Sequence, residues 1–253
     1  MNPLGPDSSV LSAMACGGKL PSMGDFVWHS PNSEARTTLD TWLQASMHQF
    51  RLSYNEQWQN LFDAAPLWNF ILPPGGLSHD IVVGCISPSC DRVGRRFPFV
   101  VTFAVRRSLP PRVLADVIHA TPTLLSHTGI LLFNGIRRKW PMETLVSLIQ
   151  QGVNDWRYAF STTHGPLALE AIDSDILSVL LHKDDMTGGE AATLPNDRFS
   201  TLPWTDVASS LKSDYAMSFW WTNGAGNASL KAFTYNAHLD GALLSWLFGR
   251  PAN

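Results

Sequence analysis

The chain has 253 residues, 45% of them hydrophobic and only 15% charged, with ten tryptophans spread from end to end. Low charge, abundant aromatics and the lack of a repeating period exclude disorder, coiled coil and collagen. The formal net charge of −3 disfavours a nucleic-acid binder, and no apolar run approaches the ~18–20 residues that span a bilayer.

No basic residue precedes Lys19, so a signal peptide is not expected here. The first helix is expected after Ser30, with Pro31 at its first position. Leu39, Trp42, Leu43, Met47 and Phe50 then recur at helical spacing and predict one buried face. A second helical piece over 56–64 carries Trp58, Leu61 and Phe62. Strand signals follow at 67–72, 81–86 and 97–105, with a loop over 87–96. Their close spacing, without long crossovers, predicts antiparallel pairing.

Past residue 107 the pattern turns more helical. Pro110-Pro111 opens a helix through Val113, Leu114, Val117 and Ile118 that is expected to stop near Pro122. Residues 130–133 read as a short strand, and Pro141 starts a helix expected to end at Gly152. Residues 176–181 read as another helix, and the acidic, Gly-containing 184–198 as a mobile loop. Near the end, strand-like 216–222 and 229–235 are joined by a hairpin loop at 223–227. Asp240 then caps a last helix with Leu243, Leu244, Leu247 and Phe248 on one face, stopped by Gly249 and Pro251. The mixture lacks βαβ alternation and predicts an α+β fold: a mostly antiparallel central sheet flanked by helices, with a C-terminal hairpin plus helix. Two regions, 1–107 and 108–253, are expected to pack as one compact unit.

No catalytic set emerges. The eight histidines are scattered, with neither a zinc-protease helix motif nor zinc spacing to a cysteine, so no metal or cofactor is expected. The three cysteines (16, 85, 90) are odd in number and sparse, which fits free thiols in a reducing compartment, the cytoplasm by default. No Gly-x-Ser-x-Gly elbow occurs. Gly17-Gly18-Lys19 hints at a phosphate loop, but Ala13 and Leu20 stand where the motif needs Gly and Ser or Thr. Asp25 and Asp91 could act as paired carboxylates; more simply, each holds its loop by accepting backbone amides or pairing with an arginine. Arg92, Arg95 and Arg96 could grip a carboxylate or phosphate on another protein, or close internal Arg–Asp pairs. On a strand, Trp220 and Trp221 must face opposite ways. One is then core; the other is covered by a second layer or belongs to a binding surface.

Four segments carry a resemblance. They are Gly18-Lys19-Leu20-Pro21-Ser22-Met23-Gly24-Asp25-Phe26-Val27, then Leu39-Asp40-Thr41-Trp42-Leu43-Gln44. The third joins Pro66-Leu67-Trp68-Asn69-Phe70 to Pro88-Ser89-Cys90-Asp91-Arg92-Val93-Gly94-Arg95-Arg96-Phe97-Pro98, and the fourth is Ser218-Phe219-Trp220-Trp221-Thr222-Asn223-Gly224. In combination and order they resemble the TagF family of type VI secretion accessory proteins, although Asn223 stands where the family more often has an acid. The resemblance implies a post-translational repressor of secretion with no active site of its own. It implies action by protein binding, with the forkhead-associated scaffold of the threonine-phosphorylation pathway as the leading partner. The alternatives are an enzyme working through Asp25, Asp91 and Arg95 on a phosphorylated or carboxylated substrate, and a structural subunit of the secretion machinery. The loops Lys19–Phe26 and Asp91–Arg96 are expected to lie together, because each borders a strand of the same sheet. The 184–198 loop is a second candidate surface.

Overall fold

The computed structural model describes residues 10–11, 14–30, 33–162, 199–200, 207, 211, 217–223 and 231–249. Pro31, the expected helix at 176–181, the loop at 184–198 and most of the 223–227 hairpin loop lie outside them.

The strands are β1 (Ala15–Gly18), β2 (Val27–His29), β3 (Trp68–Leu72), β4 (Ile81–Ser87), β5 (Phe99–Val105), β6 (Phe199–Ser200), β7 (Met217–Thr222) and β8 (Ala232–Asn236). They form one sheet in the order β2-β1-β5-β4-β3-β7-β8-β6, with every pairing antiparallel. The helices are α1 (Ser33–Tyr54), α2 (Trp58–Ala64), α3 (Pro111–Arg137), α4 (Met142–Thr162) and α5 (Gly241–Phe248), so the α+β expectation holds.

Helices cover both faces of the sheet, which is why its central strands read as continuous apolar runs instead of alternating with polar residues. All seven residues of β4 are buried. Ile81, Val83 and Cys85 face the core shared with α3 and α4, whereas Val82 and Ile86 face the core shared with α1, α2 and α5. The same alternation separates Trp221, in the first core, from Trp220, in the second. Gly84 leaves room on the second face: a Cβ there would sit 2.7 Å from the Phe70 ring. Buried indoles still need an acceptor, and Trp68 Nε1 donates to the Leu247 carbonyl at 2.9 Å, Trp42 Nε1 to that of Asp240 at 3.0 Å.

Two predicted breaks are corrected. Helix α3 runs through Pro122, and 130–133 is helix rather than strand. Val117, Ile118, Thr121, Pro122, Leu124, Leu125, Thr128 and Leu132 keep helical spacing against the core, so packing outweighs the lost backbone bond at the proline. Likewise α4 continues past Gly152 to Thr162. That glycine is a contact point: a Cβ would meet the His127 ring of α3 at 2.7 Å. Helix α5 starts as expected, because Asp240 Oδ1 accepts from the Leu243 N–H at 3.0 Å and also from the Tyr235 hydroxyl at 2.7 Å.

Two of the quoted segments meet at mid-sheet. Asn69 Nδ2 on β3 donates to Asn223 Oδ1 at 2.6 Å, and Asn223 Nδ2 donates to the Ser126 carbonyl of α3 at 3.3 Å. A carboxylate at 223 has no proton to offer Ser126, so the amide suits this neighbour.

Candidate functional site

The strand β1 ends at Gly18, whose φ of +129° and contact with the Pro98 carbonyl leave no place for a side chain. The chain then turns away from the sheet, and Met23 N–H closes the turn on the Leu20 carbonyl at 2.9 Å. The second loop is a tight excursion between β4 and β5. Its neck is closed by Phe97 N–H donating to Ser89 O at 3.0 Å and by a bridge between Cys90 and Arg96. Its tip turns at Gly94, where φ is +84°.

Asp91 organises both loops. Its side chain is fully shielded from solvent and accepts four hydrogen bonds. Oδ1 receives the N–H groups of Val93 at 3.1 Å and Arg95 at 2.9 Å; Oδ2 receives Lys19 Nζ at 3.0 Å and Arg95 Nε at 2.6 Å. Burial pushes its carboxyl up, but the Arg95 backbone N–H, the Lys19 ammonium and the Arg95 guanidinium together outweigh burial and hold it well below the usual carboxylate range. Lys19 Nζ also lies 4.9 Å from the Phe26 ring centre, and Phe26 packs edge-on against Phe97 at 4.8 Å. Backbone contacts complete the junction: Arg92 N–H donates to Met23 O at 2.7 Å and Arg95 Nη2 to Gly24 O at 2.7 Å. The two loops therefore do lie together, as one braced unit.

Around this brace the remaining candidates differ. Asp25 is exposed, and its Oδ1 accepts from the next residue's N–H, at 2.8 Å. Asp25 and Asp91 share no hydrogen bond among the described residues. Arg96 forms a bidentate pair with Asp63 of α2 at 2.8 and 2.6 Å. Arg92 is exposed and its guanidinium has no hydrogen bond or ion pair among the described residues. Val93 (71% exposed), next to it in the chain, and Phe26 (41%) on the first loop are solvent-facing apolar groups. Trp220 and Trp221 lie apart from this face. Both are buried, Trp220 packed 4.9 Å from the Phe70 ring, so a second helical layer and not a binding surface accounts for the pair.

Residue order alone did not reveal what α1 and α2 contribute. A cleft of about 610 Å³ opens between the braced loops and these helices, lined by Gln44, His48, Arg51, Trp58 and Gln59 on the helical side. Asp63 was missed for the same reason. Ser22 Oγ ties the first loop to the α3–α4 connection through the Trp140 carbonyl, at 2.8 Å. Gly17 and Gly18 belong to β1 and Lys19 is engaged by Asp91, so the apparent phosphate loop is a strand end. Among the described residues no three His, Cys, Asp or Glu side chains are grouped to hold a metal ion, and no helix is long and apolar enough to cross a membrane.

An antiparallel sheet covered on both faces by helices, with two motif loops locked at one end, defines an α+β protein. Residues 15–151 match the TagF N-terminal domain, described as type VI secretion system-associated, and the chain belongs to that family. Its fold is similar to the crystal structure of PA0076 from Pseudomonas aeruginosa PAO1, with a TM-score of 0.59 and 20% identity over 94% of this chain and 95% of that one. No curated protein sequence matches the chain.

Proposed function

We propose that this protein is a non-catalytic, post-translational negative regulator of a bacterial type VI secretion system, working in the cytoplasm by binding another protein of the system. The forkhead-associated scaffold of the threonine-phosphorylation pathway is the leading partner. Membership of a secretion-associated family supplies the context.

The observation that carries the reading is the state of Asp91. All four of its hydrogen bonds come from the chain itself, and its side chain is closed to solvent. A general acid or base has to reach a substrate proton; this carboxylate instead braces two loops, one exposing Arg92 and Val93 and the other Phe26. Arginine and aromatic side chains held rigidly at the surface are what protein-binding faces are enriched in.

Deleting the gene and overproducing the protein test the proposal, with secretion measured in both strains and partners recovered by pull-down. The expected result is more secretion on deletion, less on overproduction, and recovery of the scaffold. Unchanged secretion in both strains would sink it. Stoichiometric, permanent co-purification with the secretion apparatus would instead favour a structural subunit.

A further inference from the structure

The cleft between the braced loops and α1–α2 narrows what kind of partner segment fits, an inference that rests on the protein-binding reading. Its charged lining consists of Lys19, Arg51, Arg95 and Arg96, and no Asp or Glu lines it. Among the described residues two carboxylates pair with these cations: Asp91, buried behind Lys19 and Arg95, and Asp63, held by Arg96. Arg51 has no ion pair among the described residues. Its guanidinium lies 4.8 Å from the Trp58 ring centre and donates to the Arg96 carbonyl at 3.3 Å. Arg95 remains 58% exposed despite its bond to Asp91. A chain of net charge −3 thus gathers surplus positive charge in one aromatic-walled concavity.

We propose that this cleft takes an acidic peptide segment of the protein partner. Asp or Glu carboxylates pair with Arg51 and Arg95, and a neighbouring apolar side chain lies against Phe26 and Trp58. Each arginine already commits part of its fork inside the protein, Arg51 to a carbonyl and Arg95 to Asp91 and Gly24. One free edge each matches a planar carboxylate; a phosphate dianion draws on several convergent donors.

The probe is a fluorescein-labelled peptide alternating glutamate with leucine and tryptophan, titrated with the full chain by fluorescence polarisation. A lysine counterpart and a phosphothreonine counterpart are run beside it, at low and high salt. The glutamate peptide binds more tightly than both, weakens with salt, and shifts the Trp58 indole N–H resonance. Arg51→Glu weakens it about tenfold, Arg51→Gln by less, and Arg112→Glu, exposed at the start of α3 beyond the far end of β5, leaves it unchanged. Melting curves confirm that each variant is folded. No preference for glutamate over lysine, or indifference to Arg51→Glu in a folded variant, overturns the assignment. Preference for phosphothreonine overturns it in favour of a phosphate site. Loss of this binding while deletion still releases secretion removes only the cleft; unchanged secretion on deletion and overproduction removes the functional reading whatever the peptide does.

Discussion

The Lys19 ammonium lies 3.0 Å from the Asp91 carboxylate, which is 72 residues further along the chain, and solvent is excluded from both side chains. One charge pair therefore joins the two most recognisable loops. Removing one partner leaves the other charge buried and unmatched, which costs more than the pair contributes. Asp91→Asn is expected to lower stability by about 3 kcal/mol, measured by urea unfolding near neutral pH.

The same pair sets an acid sensitivity. The Asp91 carboxyl is held below its ordinary value, so its contribution is complete above the unfolded pKa of about 3.9 and is lost as pH falls from there toward the folded value. Unfolding free energy of the wild type should decline through that acid window. Asp91→Asn should show a shallower decline, since the group that titrates is gone. Parallel curves for the two proteins would remove Asp91 as the cause.

Thiol labelling provides an independent check on the sheet. Burial pushes the Cys16 thiol up to about 12 and raises that of Cys85 further, where the neighbouring Cys16 adds to the effect. Cys90 is half-buried, and its thiol is raised mainly by burial and then by Asp91 and Asp63. A native protein should therefore react slowly at Cys90 alone. Three thiols should react in denaturant, matching the three cysteines of the chain. Labelling of Cys85 in the folded protein would contradict its place in β4.

Two glycines at positive φ should respond differently to alanine. At Gly94 nothing lies within 4 Å of an added Cβ, so only backbone strain of about 1 kcal/mol is expected. At Gly18 the new Cβ overlaps the Pro98 carbonyl and lies 2.9 Å from Phe99 Cα, both backbone positions that cannot swing aside. Gly18→Ala should cost about 3 kcal/mol or more. Thermal melts of the two variants decide the order.

Much of the fold was legible because the physics is local. Asp240 before an apolar run marks a cap, and the β-branched runs at 81–86 and 97–105 mark strands, all of which the structure retains. Pro122 and Gly152 misled for one reason. Each is a breaker by propensity, yet Pro122 is buried within α3 and Gly152 lies close against the His127 ring of α3, and tertiary packing wins. The junction of the two loops was legible from their places beside neighbouring strands. The Arg96–Asp63 pair and the helical wall of the cleft were not, because they depend on where α1 and α2 cross the sheet end, and no local pattern encodes that.

The central claim is that the braced loops turn a partner-binding face outward through Arg92 and Val93, while Asp91, Lys19 and Arg95 hold that face in shape. The most direct measurement is secretion under overproduction of the wild type and of an Arg92→Glu, Val93→Asp double variant whose melting temperature is checked alongside. Both substituted side chains are exposed, so the account predicts an unchanged melting temperature with repression of secretion lost. A folded double variant that represses as well as the wild type contradicts it.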